Sequence, residues 1–180
     1  MRLLKPAQRV EAVHELNVSE LTARGIKGII IDLDNTLTEW NEYHLCPKVN
    51  QWLSDLEVQG IKVCILSNNK EKRVQPFAAG CRIPYYISGA RKPRRKGFIR
   101  AMQIMGTTPE NTIVIGDQIF TDVLGGNRSG IHTVLVNPIS RREFFGTRMV
   151  RRIERMVLRE KKPRSERKKF FMFKRREGQP

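Results

Sequence analysis

The sequence predicts an α/β protein: a doubly wound parallel sheet of about five strands, followed by a basic C-terminal helix and tail. Three observations predict this class. Short β-branched runs such as Gly28-Ile29-Ile30-Ile31 lack polar alternation, so they read as strands buried on both faces. Stretches of helical periodicity separate these runs. The joining segments are short and polar, as right-handed βαβ crossovers require.

Taken in order, the residues before Gly28 are expected to form a helical lead-in. The first strand, Gly28 to Ile31, ends abruptly in Asp32-Leu33-Asp34-Asn35-Thr36. Pro47 opens a helix, because its fixed φ suits the first helical position, and Val49, Trp52, Leu53 and Leu56 share one face. Gly60 stops that helix. Val63-Cys64-Ile65-Leu66 forms a second buried strand ending at Ser67-Asn68-Asn69. A helix through Arg73 and Phe77 leads to a short strand around Tyr85, Tyr86 and Ile87. A basic run follows, Arg91-Lys92-Pro93-Arg94-Arg95-Lys96, then a helix ending near Gly106. Thr108-Pro109-Glu110 reads as a capped half-turn. Thr112 to Ile115 is the fourth strand, ending in Gly116-Asp117, and a helix near Phe120 to Leu124 reaches Gly125-Gly126. Thr133 to Val136 completes the sheet. No internal repeat and no Gly-x-Gly-x-x-Gly fingerprint occur.

Composition bounds the class of protein. Hydrophobic residues make up 39% of the 180, enough for one modest core. No apolar run approaches the ~20 residues of a spanning helix, and Met1 to Val10 holds no secretory h-region. Cys46, Cys64 and Cys81 are odd in number and unpaired by motif, which favours a reducing, cytoplasmic setting over a disulfide framework or structural zinc. The net charge is +16. Residues 141–180 carry 16 basic and 5 acidic side chains, a net of +11, so most of the excess sits in the last forty residues. The expected organisation is therefore an α/β domain over 1–140, a basic amphipathic helix over 141–160 and a flexible basic tail over 161–180. Met149, Val150, Ile153, Met156 and Val157 supply the apolar stripe of that helix, and Phe170-Phe171-Met172-Phe173 lies between basic clusters in the tail. Such a segment attracts polyanions: an anionic membrane surface, or RNA. A peripheral position on the inner face of the membrane is one expectation. The apolar stripe could equally dock on the domain and leave the arginines in water.

The candidate chemistry gathers at strand ends, since ligands of an open parallel sheet bind outside the carboxyl ends of its strands. Asp32 and Asp34 follow the first strand, Ser67 the second and Asp117 the fourth. With no neutralising partner nearby in sequence, these carboxylates repel one another, and a hard divalent cation relieves that repulsion. Oxygen-only ligands suit Mg²⁺. Such a site favours a phosphorylated substrate. One carboxylate can attack phosphorus, and a second can protonate the leaving oxygen and then deprotonate water. Ser67, Asn68 and the following amides can hold phosphoryl oxygens, and a lysine can offset developing charge.

The ordered set Asp32-Leu33-Asp34-Asn35-Thr36, Ser67-Asn68-Asn69, Lys92-Pro93 and Gly116-Asp117 with Asp122 resembles the four motifs of the haloacid dehalogenase-like phosphohydrolases. Within them it is most similar to subfamily IIIA and the YqeG family, which is similar to the mitochondrial-type phosphatidylglycerophosphate phosphatases. The likeness runs from about Leu4 to Arg159. It implies Asp32 as nucleophile and Mg²⁺ ligand, and Asp34 as general acid/base with its main-chain carbonyl on the metal. It implies Ser67 as a phosphoryl ligand, Lys92 as the charge-steadying lysine, Asp117 as a metal ligand and Asp122 as a residue behind the metal ligands.

Simpler readings stand beside these. Asp-x-Asp at a strand end can be a turn, Ser67-Asn68-Asn69 a helix cap, and Lys92 one solvated member of a run that also holds Lys96. The spacing between Asp34, Ser67 and Lys92 leaves no room for a cap domain. A capless site favours a phosphate carried on something large, such as a membrane lipid headgroup; phosphatidylglycerophosphate is the leading substrate expectation. The alternatives are a phosphatase of a soluble metabolite or nucleotide, and a basic module that binds RNA or the ribosome.

Overall fold

The central strand of the protein, β2 (Gly28–Ile31), is buried at every residue, as its unbroken isoleucines require. In the computed structural model, residues 2–40 and 42–140 are described; the basic helix and tail expected over 141–160 and 161–180 lie outside them. Around β2 runs a six-stranded sheet of order β1-β6-β5-β2-β3-β4, every pairing parallel. The other strands are β1 (Gln8–Val10), β3 (Lys62–Leu66), β4 (Tyr85–Ile87), β5 (Thr112–Gly116) and β6 (His132–Val136).

Strand pleating divides the core into two layers. Ile29, Ile31, Val63, Ile65, Ile113 and Ile115 point to the face covered by α1 (Val18–Ala23), α2 (Pro47–Val58) and α3 (Glu71–Gly80). Ile30, Cys64, Leu66 and Val114 point to the other face, covered by Phe98, Ala101, Met102 and Met105 of α4 (Arg95–Met105). Burial pushes the Cys64 thiol up to about 12, so it behaves as a small core side chain. Trp52 of α2 is buried and donates its indole N–H to the Leu16 carbonyl at 2.9 Å, satisfying the ring's one polar atom. Gly60 follows α2 at φ +70°, the left-handed conformation that ends a helix most cheaply without a Cβ. Among the described residues, no helix is long and apolar enough to cross a membrane.

Two expectations need correction. The N-terminal lead-in is not simply helical: 3₁₀ turns at Arg2–Leu4 and Val13–Glu15 flank β1, and only α1 is α-helical. β1 is three residues long and, among the described residues, pairs only with β6, so the polar Gln8 and Arg9 carry no buried-strand signal. The helix expected near Phe120 to Leu124 also differs in form and extent. A π-helical turn, Ile119–Val123, passes directly into α5 (Leu124–Arg128), which contains both glycines. A Cβ on Gly125 would lie 2.3 Å from the Phe98 ring, and one on Gly126 would lie 2.5 Å from the Thr133 methyl. These glycines let α5 approach the sheet; they do not break it.

The chain builds β2, β3 and β4 outward in one direction, then returns through β5 to the other side of β2. The sheet therefore reverses its winding between β2 and β5. At such a switch point the loops diverge to opposite faces and leave a crevice beyond the strand ends.

Candidate active site

Asp32 follows β2 and Asp117 follows β5, one at each side of that crevice. The two strands run in register to Ile31 and Ile115, and the Asp32 N–H donates to the Ile115 carbonyl at 3.0 Å. Carboxylate oxygens of Asp32, Asp117 and Asp122 all lie within 4.8 Å of one another. Asp122 reaches the cluster because it sits in the π-helical turn and Gly116 has no side chain; a Cβ there would lie 2.3 Å from the Asp122 carboxyl carbon.

Lys92 enters this acidic cluster from the loop after β4. Only 4% exposed, its Nζ donates to Asp32 Oδ1 at 2.5 Å and to Asp122 Oδ1 at 2.6 Å. Burial works against the ammonium charge, but the carboxylates of Asp122 and Asp32 outweigh it and hold Lys92 above its ordinary range. Lys96 is exposed. The structure thus brings Lys92, and not Lys96, to the site.

Three carboxylates facing one ammonium leave a formal charge of −2. Burial, against the opposing pull of Lys92, raises Asp32 to about 7, with Asp122 adding repulsion. Burial and then the charges of Asp32 and Asp122 raise Asp117 to about 8. Asp117 Oδ1 is buried and, among the described residues, has no hydrogen-bond partner. A divalent cation meets every one of these conditions: it cancels the residual charge, prefers oxygen donors and gives the orphaned oxygen a ligand. Asp122 is differently committed. Its Oδ1 accepts from Lys92, and its Oδ2 accepts from the Gln118 N–H at 3.2 Å and the Thr121 hydroxyl at 3.3 Å.

The Asp34 side chain does not join this cluster. Its Oδ1 accepts from Arg73 Nη2 at 2.8 Å and Nε at 3.2 Å, and its Oδ2 accepts from Asn69 Nδ2 at 2.5 Å. The carboxylate expected to lack a neutralising partner has one, Arg73, largely withdrawn from solvent and supplied by the first turn of α3. Sequence reading passed over Arg73 and Asn69 as site residues. The available signal was position, since Arg73 lies six residues past Ser67, at the start of a helix that begins on the carboxyl edge of the sheet. Arg73 also lies under Tyr43, 4.7 Å from its ring centroid, and 5.5 Å from that of Phe77.

Ser67 is buried at the end of β3, where its Oγ accepts from the Asn69 N–H at 3.1 Å, the cap-like turn that its residue type permits. The Asn68 side chain has another task. Its Oδ1 accepts from the Lys92 N–H at 2.7 Å and its Nδ2 lies 3.5 Å from the Lys92 carbonyl, so it fixes the loop that carries the lysine.

Comparison with known proteins agrees with this geometry. A family model for haloacid dehalogenase-like hydrolases matches residues 39–130, about half of the chain. A Bacillus subtilis (strain 168) protein named "Probable phosphatase YqeG" is 45% identical over 153 residues, covering 85% of this chain and 88% of the relative. The chain belongs to the haloacid dehalogenase-like hydrolases.

As a haloacid dehalogenase-type phosphatase, it has relatives with more specific names. Phosphatidylglycerophosphate phosphatase 1 of Arabidopsis thaliana is 29% identical over 163 residues, which cover 85% of this chain; the chain spans about half of that relative, 47%. In structure the haloacid dehalogenase fold recurs in the 3-deoxy-D-manno-octulosonate 8-phosphate phosphatase of Moraxella catarrhalis, determined with magnesium and phosphate ions and sugar. Its TM-score is 0.50 at 17% identity, over 69% of this chain and 77% of that one.

Proposed function

We propose that this phosphatase hydrolyses a phosphomonoester in two steps through an aspartyl-phosphate on Asp32, with Mg²⁺ bound, and that its substrate is phosphatidylglycerophosphate. The observation that carries the reaction is the net −2 cluster with an unsatisfied Asp117 oxygen beside an Asp32 already steered by Lys92. Asp32, Asp117 and the main-chain carbonyl of Asp34 would hold the metal, with Asp122 behind them orienting Lys92. When bound, Mg²⁺ supplies charge neutralisation that lets an anionic phosphoryl group approach carboxylates.

In the first step an Asp32 carboxylate oxygen attacks phosphorus, the bond to the leaving oxygen breaks, and Asp34 gives that oxygen a proton. In the second, water attacks the phosphorus, Asp34 takes a proton from it, and the bond to Asp32 breaks to release inorganic phosphate. Lys92 offsets the charge on the equatorial oxygens and keeps Asp32 aimed. Arg73 and Asn69 hold the Asp34 carboxyl in place; one of these contacts yields when Asp34 carries its proton. Ser67 and the main-chain amides after it receive the phosphoryl oxygens.

The lipid assignment is supported by likeness to a relative that bears that name and by openness. Among the described residues, the segment between β2 and β3 contains α2 and no inserted domain that could enclose a small metabolite. Residues 1–140 form the catalytic unit in this reading, and the +11 excess over 141–180 supports attraction to an anionic surface. The test is a phosphate-release panel with Mg²⁺, setting phosphatidylglycerophosphate in mixed micelles against soluble phosphomonoesters. Preference for the lipid, abolished in Asp32→Asn, is expected. A preference for soluble esters overturns the lipid assignment; undiminished turnover by Asp32→Asn overturns the nucleophile.

A further inference from the structure

We infer that the folded domain docks on anionic bilayers through the catalytic edge of its own sheet, with Trp40 and Phe120 entering the interface. Large side chains are exposed where this edge opens: Trp40 at 57% and Tyr43 at 49% in the loop after β2, and Phe120 at 50% in the turn after β5. These loops belong to the strands that carry Asp32 and Asp117, and Tyr43 touches the site through Arg73, whose guanidinium lies 4.7 Å from its ring centroid. Exposed aromatics at the mouth of a site gain little from water and much from an interface, where one end is apolar and the other wet.

Charge identifies the partner and orients it. Beside the aromatics, on the carboxyl ends of β3 and β4, stand exposed Lys70 and Lys72, then Arg91, Arg94, Arg95 and Lys96. Glu71, among them, is occupied with Tyr86 and Ser88. Glu39 and Glu42, which flank Trp40 in the loop after β2, join Glu11 and Glu15 in lining a cavity of about 760 Å³ that extends from that loop to the ends of β1 and β6. The edge is thus electrically divided. The β3-to-β4 side carries the basic rim, beside the recessed acidic catalytic cluster, and is the side that turns to an anionic surface. Each basic group near a charged leaflet adds electrostatic attraction, while insertion of an aromatic ring supplies the non-electrostatic part. A headgroup phosphate on the docked leaflet then lies opposite Lys92 without leaving the membrane. The inference relies on the phosphatase reading only for where the mouth of the site is.

The protein has two tryptophans, and Trp52 is buried, so emission changes report Trp40. The full chain is titrated with vesicles of phosphatidylglycerol and phosphatidylcholine, and with pure phosphatidylcholine, none carrying the phosphorylated substrate. A blue shift is expected with the anionic vesicles alone, and none in Trp40→Phe. Trp40→Ala and Phe120→Ala should each weaken vesicle binding roughly tenfold, as withdrawal of one large apolar side chain implies, and leave hydrolysis of a soluble phosphomonoester unchanged. Arg94→Glu with Lys96→Glu should weaken it further at low salt. Sedimentation with vesicles at wild-type strength in both Ala variants, or with unshifted Trp40 emission, overturns the inference by placing the contact elsewhere. A Trp40 shift produced by RNA and not by vesicles overturns it in favour of a nucleic-acid surface. If docking holds and phosphatidylglycerophosphate is not hydrolysed, the substrate assignment falls and the docking surface stands.

Discussion

Lys92 Nζ lies 2.5 Å from Asp32 Oδ1, joining a loop after β4 to the end of β2 across sixty positions of sequence. Both groups are buried, and the same ammonium also holds Asp122. Lys92→Met removes the cation from a cluster that keeps its carboxylates. Turnover should fall by on the order of 10²–10³, and metal-free stability by about 3–5 kcal/mol, as for one broken buried pair. Lys96→Ala should leave hydrolysis of a soluble ester unchanged. Steady-state kinetics and urea unfolding of the two variants check this; equal effects would return the choice between the lysines to an open state.

The cluster should make metal binding dependent on pH. Asp32 and Asp117 are raised to about 7 and about 8 from an ordinary 3.8. A carboxyl raised by folding contributes stability that is complete below its unfolded value and lost as pH rises through its folded value. Metal-free protein should therefore lose stability progressively as pH climbs from about 4 to about 8, the loss being complete once both groups are ionised in the fold. Mg²⁺ needs the ionised forms, so it should raise the unfolding temperature more at about pH 8 than at about pH 6. Equal shifts at the two pH values in a thermal melt would contradict the assignment of these carboxyls to the metal.

Gly116 ends β5 directly before Asp117 and makes room for the Asp122 carboxyl. Gly116→Ala should cost about 1–3 kcal/mol through overpacking and reduce activity by displacing Asp122 from Lys92. Gly80, the last residue of α3, has open space where a Cβ would stand. Gly80→Ala should be neutral or stabilising by up to about 1 kcal/mol. Chemical denaturation of the pair isolates the contact from the general effect of adding a methyl group.

Arg73 holds Asp34 through two donors of one planar group, a geometry lysine cannot copy. Arg73→Met should lower stability by about 3 kcal/mol and turnover by roughly tenfold or more, since a proton donor that wanders by an ångström loses its alignment. Arg73→Lys should recover part of the stability and less of the rate. Full rate in Arg73→Met would show that Asp34 needs no such support.

Much of this protein is legible along the chain, for local reasons. Gly28 to Ile31 and Thr112 to Ile115 are unbroken apolar runs, so both strands and their polar ends are visible without a partner. Pro47 and Gly60 bracket α2 by backbone preference alone. β1 escapes notice because Gln8-Arg9-Val10 is an edge strand with no apolar run, and its existence depends on β6, more than a hundred residues away. The length of α5 escapes notice because Gly125 and Gly126 look like a stop until Phe98 and Thr133 are seen packed against them.

The same division holds at the site. Which side chains stand on the carboxyl edge follows from residue order alone, because a strand's last residue sets the position of the next: Asp32, Asp34, Ser67 and Asp117 are read this way. Tertiary structure alone decided that Asp122 joins Asp32 and Asp117 while the Asp34 side chain turns to Arg73, and that Lys92 enters where Lys96 stays in water. Strand and helix periods are written in neighbouring residues. The meeting of charges thirty to ninety positions apart depends on how loops fold over a sheet, and no local pattern records it.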